Sequence, residues 1–297
     1  MSIRAGVEVV SHTELACFRR CPLEHHFRYT LKRQPAIRAK ALIVGSRIDE
    51  ALKMHHSGEP IDWSKLEVTE RCLMRGYQAY WGMPDVGFRL EKAGLRFQVQ
   101  IGGAIVTGEF DGTGWHLPGD HRTILENKTT SEDIAPGSFY WRRVTHVDPQ
   151  ATIYLLASRA MGLGHTRVLW NVLHKVQLRQ GKKESEPEFE ERVLADIAER
   201  PATYYQRVVV VRLEDENQAF VRDVAGTVRL MQEVRGMQAR GEGVPRNPDA
   251  CFTKFGRNCD FAPTCIEGIS IDSEIHYRGS RKPAESPSVT VEKRFEF

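Results

Sequence analysis

The stretch Thr123-Ile124-Leu125-Glu126-Asn127-Lys128 joins an apolar, strand-like run to an acid and a lysine. In a β-strand, successive side chains point to opposite faces. Glu126 and Lys128 are therefore expected on one face, and Asn127 on the other. This spacing predicts that the carboxylate and the ammonium group lie side by side on one face of a sheet.

A second acid is expected to join them across a hairpin. The segment Gly108-Glu109-Phe110-Asp111-Gly112 predicts the preceding strand, and Leu117-Pro118-Gly119-Asp120 carries the proline and glycine of a tight turn. An antiparallel hairpin centred in the middle of that turn sets Asp111 opposite Glu126. Both carboxylates then meet Lys128 on one face.

Two carboxylates on one sheet face repel each other unless a cation lies between them. Hard oxygen ligands suit Mg²⁺ or Mn²⁺. A lysine beside such an ion can hold a water molecule or neutralise charge on a phosphate, as metal-assisted displacement requires. The pattern favours metal-dependent phosphodiester cleavage. The alternative is a solvated strand face, where an acid and a lysine two residues apart are common.

Asp111 together with Glu126-x-Lys128 resembles the PD-(D/E)XK nuclease superfamily, and specifically its RecB-like branch, which includes the AddB nuclease domain and the CRISPR adaptation-module exonuclease. Four further stretches, two before Asp111 and two after Lys128, occur in the same order along the chain as in that branch. The resemblance therefore covers about residues 11 to 265. The four stretches are Ser11-His12-Thr13-Glu14-Leu15 with Cys21-Pro22 and Phe27-Arg28-Tyr29, then Gly45-Ser46-Arg47-Ile48-Asp49, Gln150-Ala151-Thr152-Ile153-Tyr154, and a terminal cysteine cluster.

The resemblance implies that Asp111, Glu126 and Lys128 are catalytic. It also implies that the metal is held by Asp111, Glu126, the backbone carbonyl of Asn127, and Asp49. At the last position the family usually has a histidine, but a carboxylate is also a competent ligand for a hard cation. The alternative is that Asp49 belongs to the polar side of a helix.

Gln150 and Tyr154 lie four residues apart, so on a helix they share a face. The resemblance implies that this face lines the active site and binds nucleic acid. Tyrosine can stack on a base or donate to a phosphate, and glutamine can do the latter. An ordinary amphipathic helix with a half-buried tyrosine is the alternative.

The chain has six cysteines, and three of them crowd a loop-rich segment near its end. Four thiolates suit either Zn²⁺ or an iron-sulfur cluster, and the spacing matches neither a C-x-x-C zinc site nor a ferredoxin run. The resemblance implies a 4Fe-4S cluster, with zinc or unligated packing cysteines as alternatives. The implied ligands are Cys21, Cys251, Cys259 and Cys265. Cys17 could substitute as a ligand, and Cys72 is expected in the core.

The length of 297 residues and the absence of a linker before about residue 270 predict one nuclease domain, 1–270, followed by a polar, flexible tail, 271–297. The sequence shows neither a membrane-spanning stretch nor a signal peptide. We therefore expect a cytoplasmic protein of a bacterial or phage-infected cell. The net charge of +3 is too small to indicate nucleic acid, but residues 1–53 hold ten Lys/Arg against five Asp/Glu, which favours an anionic partner there.

The expected fold class is α/β, with a restriction-endonuclease-like mixed β-sheet flanked by helices and with the terminal regions joined at the cysteine cluster. The adjacent pairs His25-His26 and His55-His56 are expected to pack or face solvent, because neighbours on a helix point about 100° apart. The predicted helices are about 12–30, 41–56, 64–81, 149–161, 186–199 and 216–239, and the predicted strands are 95–101, 104–113, 122–128, 166–174 and 206–213.

The expected function is a metal-dependent DNA nuclease, favoured as an exonuclease, in replication, recombination, repair or defence. Its substrate is expected to be single-stranded DNA or DNA with free ends, with a helicase or recombination protein as a possible partner, since the chain has no P-loop motif of its own. The rival from another class is a non-catalytic DNA-binding or assembly module. A redox or zinc-dependent regulator is weaker, because it leaves the acidic residues unexplained.

Overall fold

The computed structural model describes residues 7–252, 258–279 and 289–294, the last of these as backbone only. Contacts divide the chain into two compact units. The central unit holds residues 40–96 and 109–214, and the terminal unit holds residues 1–39, 97–108 and 215–297. Residues on both sides of the boundary expected at residue 270 belong to the terminal unit. The single nuclease domain stays a prediction.

The sheet of the central unit is mixed. Its strands lie in the order β7-β6-β5-β4-β3, with β5 parallel to β6 and the β4–β5 and β6–β7 pairs antiparallel. Strands β3 and β4 each continue into the terminal unit. The strands are β3 (Phe88–Ile101), β4 (Ala104–His116), β5 (His121–Thr130), β6 (Arg167–His174) and β7 (Tyr205–Val210).

The hairpin of β4 and β5 has the predicted register. Its pairs run from Gly112 with Leu125 to His116 with His121, and the next step in the same register sets Asp111 against Glu126. The chain reverses through Gly119, whose φ of 88° lies in the left-handed region that favours glycine. The turn chemistry read from Pro118-Gly119 therefore fixes which side chains meet on the sheet.

Helices cover the sheet of the central unit, and their ends carry the expected signals. The predicted capping box at Ser185 and Glu188 is present. Asp148 caps the helix of Gln150 and Tyr154, which ends at left-handed Gly162. The helices are α3 (Lys40–Ser57), α4 (Val68–Trp81), α5 (Phe139–His146), α6 (Pro149–Met161), α7 (Glu186–Glu199) and α8 (Pro201–Tyr204), with a 3₁₀ turn at Trp63–Lys65.

Helices α3, α4 and α7 share a hydrophobic core with the end of β6 and the start of β7. A second, smaller cluster joins Phe88, Leu125 and Leu169. Cys72 is fully buried in the first core, which confirms its predicted packing role. The apolar spacing of α3 and α4 thus explains how α3, the helix of Asp49, is held in the central unit.

The terminal unit contains the chain ends. Strand β1 pairs with β4 in parallel, β9 pairs with β3 in parallel, and β2 pairs with β8 antiparallel. Its elements are β1 (Val9–Ser11), α1 (His12–Arg20), α2 (Pro22–His25), a π-helix at His26–Thr30, β2 (Arg33–Pro35), α9 (Glu214–Ala239), a 3₁₀ turn at Pro248–Ala250, α10 (Ala262–Glu267), β8 (Tyr277–Gly279) and β9 (Val289–Arg294).

Part of the segment predicted as a flexible tail forms strands, because residues 277–279 and 289–294 are β8 and β9. Residues 280–288 and 295–297 lie outside the described residues. Polar composition suggested a tail, but a short strand needs only backbone hydrogen bonds to a neighbour. The prediction missed α5 as well, whereas the mixed α/β class with a helix-flanked central sheet is confirmed.

No helix in the described part of the chain combines the length and the apolar character that crossing a membrane requires.

Candidate active site

Lys128 and Glu126 lie side by side, as the strand alternation predicts. The Lys128 ammonium donates to Oε1 of Glu126 and lies 5.5 Å from the centre of the Trp170 ring, within cation–π range. Burial alone would lower the pKa of Lys128, but the charge of Glu126 and its hydrogen bond outweigh burial and raise it. The side chain is 37% exposed. It is therefore a charged group that a ligand can reach.

Asp111 is held against the same strand. Its Oδ2 accepts a 2.8 Å hydrogen bond from the backbone N–H of Asn127. Burial raises the pKa of Asp111 to about 8, and the charges of Glu126 and Asp49 add to that effect. A carboxyl group with such a pKa gains most from a bound cation, because the cation stabilises the ionised form.

Asp49 lies on α3 and is linked to β4 through Lys53, which lies close to both Asp49 and Glu109. Its Oδ2 lies 3.1 Å from Nζ of Lys53 in an ion pair. Among the described residues, the one group of three or more potential ligands whose atoms all lie within 4.8 Å of one another is elsewhere, at His55, His56 and Asp85. The predicted ligands Asp49, Asp111 and Glu126 thus share a neighbourhood without closing on a common point.

Two charged residues beside this site were missed in the sequence, Lys53 and Glu109. Lys53 lies 3.8 Å from Glu109 as well as contacting Asp49, and Glu109 also accepts from Arg96 at 2.9 Å. The available signal was the spacing of Asp49 and Lys53, because an acid and a lysine four residues apart pair on a helix. The positive charges of Lys53 and Arg96 offset part of the negative charge that the carboxylates bring together.

Gln150 and Tyr154 both hold Glu126. Nε2 of Gln150 donates to Oε1 of Glu126 at 2.8 Å, and the Tyr154 hydroxyl lies 2.8 Å from Oε2 of Glu126 and 2.9 Å from the carbonyl oxygen of Glu109. The ring of Tyr154 is 5% exposed, so it lacks the open face that base stacking needs. The predicted shared face is present, and it orients Glu126. Contact of these side chains with nucleic acid stays a prediction.

The donor set of the site consists of carboxylates and backbone carbonyls, which suits a hard divalent cation. Asp111 and Glu126 are the best candidates to hold it, because they are a half-buried and a buried acid on neighbouring strands. Asp49 comes from a separate helix. The arrangement could bind a metal ion on one side and a phosphate beside the exposed Lys128 ammonium on the other.

A second candidate site lies within the terminal unit. The four cysteines Cys21, Cys251, Cys259 and Cys265 line one pocket. The backbone N–H of Asn247 donates to Sγ of Cys21 at 3.4 Å, a contact that suits a thiolate. The residues predicted to join the two ends of the chain are thus brought together.

Local backbone structure gathers the three C-terminal cysteines. A β-bridge joins Phe252 to Asn258, and the N–H of Cys259 donates to the carbonyl oxygen of Cys251 at 2.8 Å. Burial raises the pKa of the Cys259 thiol to about 11, and burial and the neighbouring cysteines raise the pKa of Cys265. The raised pKa values favour the neutral thiols at Cys259 and Cys265, and a bound metal would favour their thiolates.

The described cysteines do not form a ready-made tetrahedral zinc site. With Zn–S bonds of about 2.3 Å, the sulfurs of a tetrahedral site lie within roughly 4 Å of one another. No group of three cysteines among the described residues meets even a 4.8 Å limit. Cys17 is buried outside the residues that line this pocket, and burial raises its pKa to about 12, so packing explains it better than ligation does.

Comparison with known proteins bears on the family. The sequence model of the PD-(D/E)XK nuclease superfamily matches residues 9–80, a segment that includes Asp49 and precedes Asp111. A search of curated proteins found no match.

Two solved structures resemble the chain weakly. A candidate exonuclease from Eubacterium rectale has 12% sequence identity and a TM-score of 0.47, covering 84% of this chain and 91% of its own. The protein SSO0001 has 13% identity and a TM-score of 0.39, covering 78% of this chain and 80% of its own. Likeness at this level carries no functional argument. Residues 9–80 match the PD-(D/E)XK nuclease superfamily, and the mixed α/β fold is consistent with the restriction-endonuclease-like fold of that superfamily.

Proposed function

We propose that the chain is a Mg²⁺- or Mn²⁺-dependent nuclease that hydrolyses DNA phosphodiesters, acting as an exonuclease on single-stranded DNA or DNA with free ends. One observation carries the proposal. The carboxyl group of Asp111, held by the Asn127 N–H, lies one strand away from the Glu126–Lys128 pair. Two carboxylates beside a lysine can hold a divalent cation next to a phosphodiester, which suits metal-assisted hydrolysis.

Each residue has a distinct role in this proposal. Asp111, Glu126 and the carbonyl oxygen of Asn127 would hold the metal, with Asp49 completing the shell. The ion would supply charge neutralisation at the phosphate and acidify water. Lys128 orients the attacking water and stabilises negative charge on the phosphate oxygens. The water oxygen forms the new bond to phosphorus, the bond to the leaving ester oxygen breaks, and the water's proton passes through solvent to that oxygen.

We also propose that Cys21, Cys251, Cys259 and Cys265 bind a 4Fe-4S cluster, supported by the pocket that all four cysteines line. The cluster would fasten the two ends of the chain within the terminal unit. Zinc is the alternative occupant. A helicase or recombination protein as partner stays a prediction.

A non-catalytic DNA-binding module is the second candidate function, and Asp49 in place of the expected histidine favours it. The test is cleavage of 5′- and 3′-labelled single- and double-stranded oligonucleotides with Mg²⁺, with Mn²⁺ and with EDTA. Metal-dependent products that are absent for Lys128→Met support the nuclease. The binding module is supported if the protein binds DNA without forming any product while its cysteine site is fully loaded with iron or zinc.

A further inference from the structure

A buried polar row crosses the sheet of the central unit directly behind the candidate active site. Asn127, Asn171 and Arg207 are paired in register on β5, β6 and β7. Nδ2 of Asn171 donates to Oδ1 of Asn127 at 2.8 Å, and Nε of Arg207 donates to Oδ1 of Asn171 at 3.0 Å. Because faces alternate along β5, this row lies on the side opposite Glu126 and Lys128.

The rows on either side of it are largely apolar. Two residues toward the start of β5, the same face carries Leu125, Leu169 and Val209, which pack on Phe88. Two residues in the other direction, Leu173 and Tyr205 belong to the larger core. A hydrophobic row at the middle position would avoid burying polar groups, and replacing such groups by apolar ones is often neutral or stabilising. Packing alone therefore does not account for the row.

The far end of the row is anchored by an ion pair. Arg207 binds both oxygens of Asp85, with Nη1 at 2.9 Å from Oδ1. Nη2 of Arg207 also donates to the Tyr77 hydroxyl at 2.6 Å, and the guanidinium stacks over Trp81 at 3.9 Å from the ring centre. The guanidinium is thus held on several sides, so its position, and that of Asn171 bonded to it, is fixed.

The near end reaches the candidate metal site through a single residue. The side chain of Asn127 is held by Asn171 on one face of the sheet, while its backbone N–H holds Asp111. Fixing the Asn127 side chain restricts rotation about the backbone bonds at its Cα. The two peptide groups that meet at this Cα carry the N–H that orients Asp111 and the carbonyl oxygen proposed as a metal ligand.

We propose that Asn171 and Arg207 are positioning residues, which hold the Asn127 backbone from behind the sheet so that its carbonyl oxygen and Asp111 keep the orientation for a divalent cation. The inference rests on the proposed metal site. It assigns a role to groups that do not touch metal or substrate. Partners that orient metal ligands in this way commonly change metal affinity or activity about 10- to 100-fold when removed.

Asp85, which anchors the row, also belongs to a cluster that could be read as a metal site. The ligand atoms of His55, His56 and Asp85 lie within 4.8 Å of one another. Both histidine side chains are buried, so this pair packs in the core, one of the two outcomes that the sequence predicted. However, Arg207 already engages both oxygens of Asp85. With that carboxylate neutralised and both imidazoles uncharged, a buried divalent ion would leave its charge uncompensated.

The test compares Asn171→Leu with Ser158→Ala, a buried variant that loses hydrogen bonds to His165 elsewhere in the central unit. For Asn171→Leu we expect Mn²⁺ affinity, measured by electron paramagnetic resonance, to fall about 10- to 100-fold. In metal-free protein, hydrogen exchange at the Asn127 amide should accelerate. We expect kcat to fall with the KM for DNA little changed. Ser158→Ala should lower thermal stability without moving the Mn²⁺ affinity.

A double variant separates positioning from stability. Asp85→Asn with Arg207→Met removes the ion pair, and the new amide oxygen can still accept from the N–H groups of Gly87 and Phe88. We expect this variant to fold and melt near wild type while losing Mn²⁺ affinity as Asn171→Leu does. Wild-type Mn²⁺ affinity in both variants overturns the inference. If these variants also cleave DNA at the wild-type rate, the proposed nuclease function still stands.

Two other outcomes are decisive. One zinc ion per chain that His55→Phe removes would make the cluster a metal site and overturn the positioning role. If the wild-type protein cleaves no DNA but Asn171→Leu still weakens Mn²⁺ binding, the positioning role is supported and the proposed function fails.

Discussion

The backbone N–H of Asn127 donates a 2.8 Å hydrogen bond to Oδ2 of Asp111. This bond joins neighbouring strands of the hairpin at the level of the Glu126–Lys128 pair. It also sets the orientation of an acid whose pKa is raised to about 8 by burial, with Glu126 and Asp49 adding to the effect. Under the proposed function, a bound cation would stabilise the ionised form of this carboxyl group, which burial disfavours.

Asp49→Ala should weaken Mn²⁺ binding and cleavage by about 10-fold or more, because it removes one carboxylate from the proposed shell. Asp49→His should keep appreciable activity, since imidazole is also a metal ligand. Titration with Mn²⁺ and initial cleavage rates measure both effects. Glu50→Ala is the control, because Glu50 is the next residue on α3 and pairs with Lys65 at the surface. Equal behaviour of Asp49→Ala and Glu50→Ala would place Asp49 outside the site.

Tyr154→Phe should lower Mn²⁺ affinity and kcat about 10-fold while leaving the KM for DNA nearly unchanged, because the hydroxyl orients Glu126 and the buried ring offers no stacking face. Tyr204→Phe is the matched control, since its buried hydroxyl donates to Asp196. A selective rise in KM for Tyr154→Phe would show instead that this residue binds nucleic acid.

Anaerobically purified protein should be brown and contain about four iron atoms and four sulfides per chain, as a 4Fe-4S cluster requires. Replacing one ligand cysteine with serine should release iron and lower the melting temperature, because the ligands close a long loop between the chain ends. The cysteines to replace one at a time are Cys21, Cys251, Cys259 and Cys265. Cys72→Ser and Cys17→Ser should keep the iron. Colourless protein with one zinc per chain would favour the alternative occupant, and metal-free protein whose Cys21→Ser variant melts like wild type would leave packing roles only.

Stability should fall as the pH drops below about 6.5, in part because of His56. Burial lowers its pKa to about 3, with Arg207 and His55 acting in the same direction and Asp85 opposing them. The unfolded chain therefore takes up a proton between about pH 6.5 and 3 that the folded protein does not, so unfolding becomes easier by up to roughly 1.4 kcal/mol per pH unit.

His56→Gln, which keeps a hydrogen-bonding group near the Tyr77 hydroxyl, should flatten this slope in urea unfolding between pH 4 and 6.5. An NMR titration that shows the His56 ring of folded protein taking up its proton near pH 6.5 would contradict the explanation.

The sequence predicted the parts of the site that depend on local rules. Strand alternation and turn chemistry gave the Glu126–Lys128 pair and the hairpin register, and helical spacing gave the shared face of Gln150 and Tyr154. It did not predict that Tyr154 is buried against Glu126, because burial depends on what packs over a helix. The Arg207–Asp85 pair was equally out of reach, since 122 residues separate its partners and no spacing rule relates them.

Metal-dependent cleavage by Asp111→Asn and Lys128→Met, compared with wild type, tests the central claim most directly. We expect both variants to lose about 10²-fold or more in cleavage rate with Mg²⁺ or Mn²⁺. Without divalent metal, Asp111→Asn should melt at least as high as wild type, because the amide removes a buried carboxyl group that Glu126 and Asp49 repel. Cleavage by folded Asp111→Asn or Lys128→Met at the wild-type rate would contradict the assignment of this hairpin as the active site.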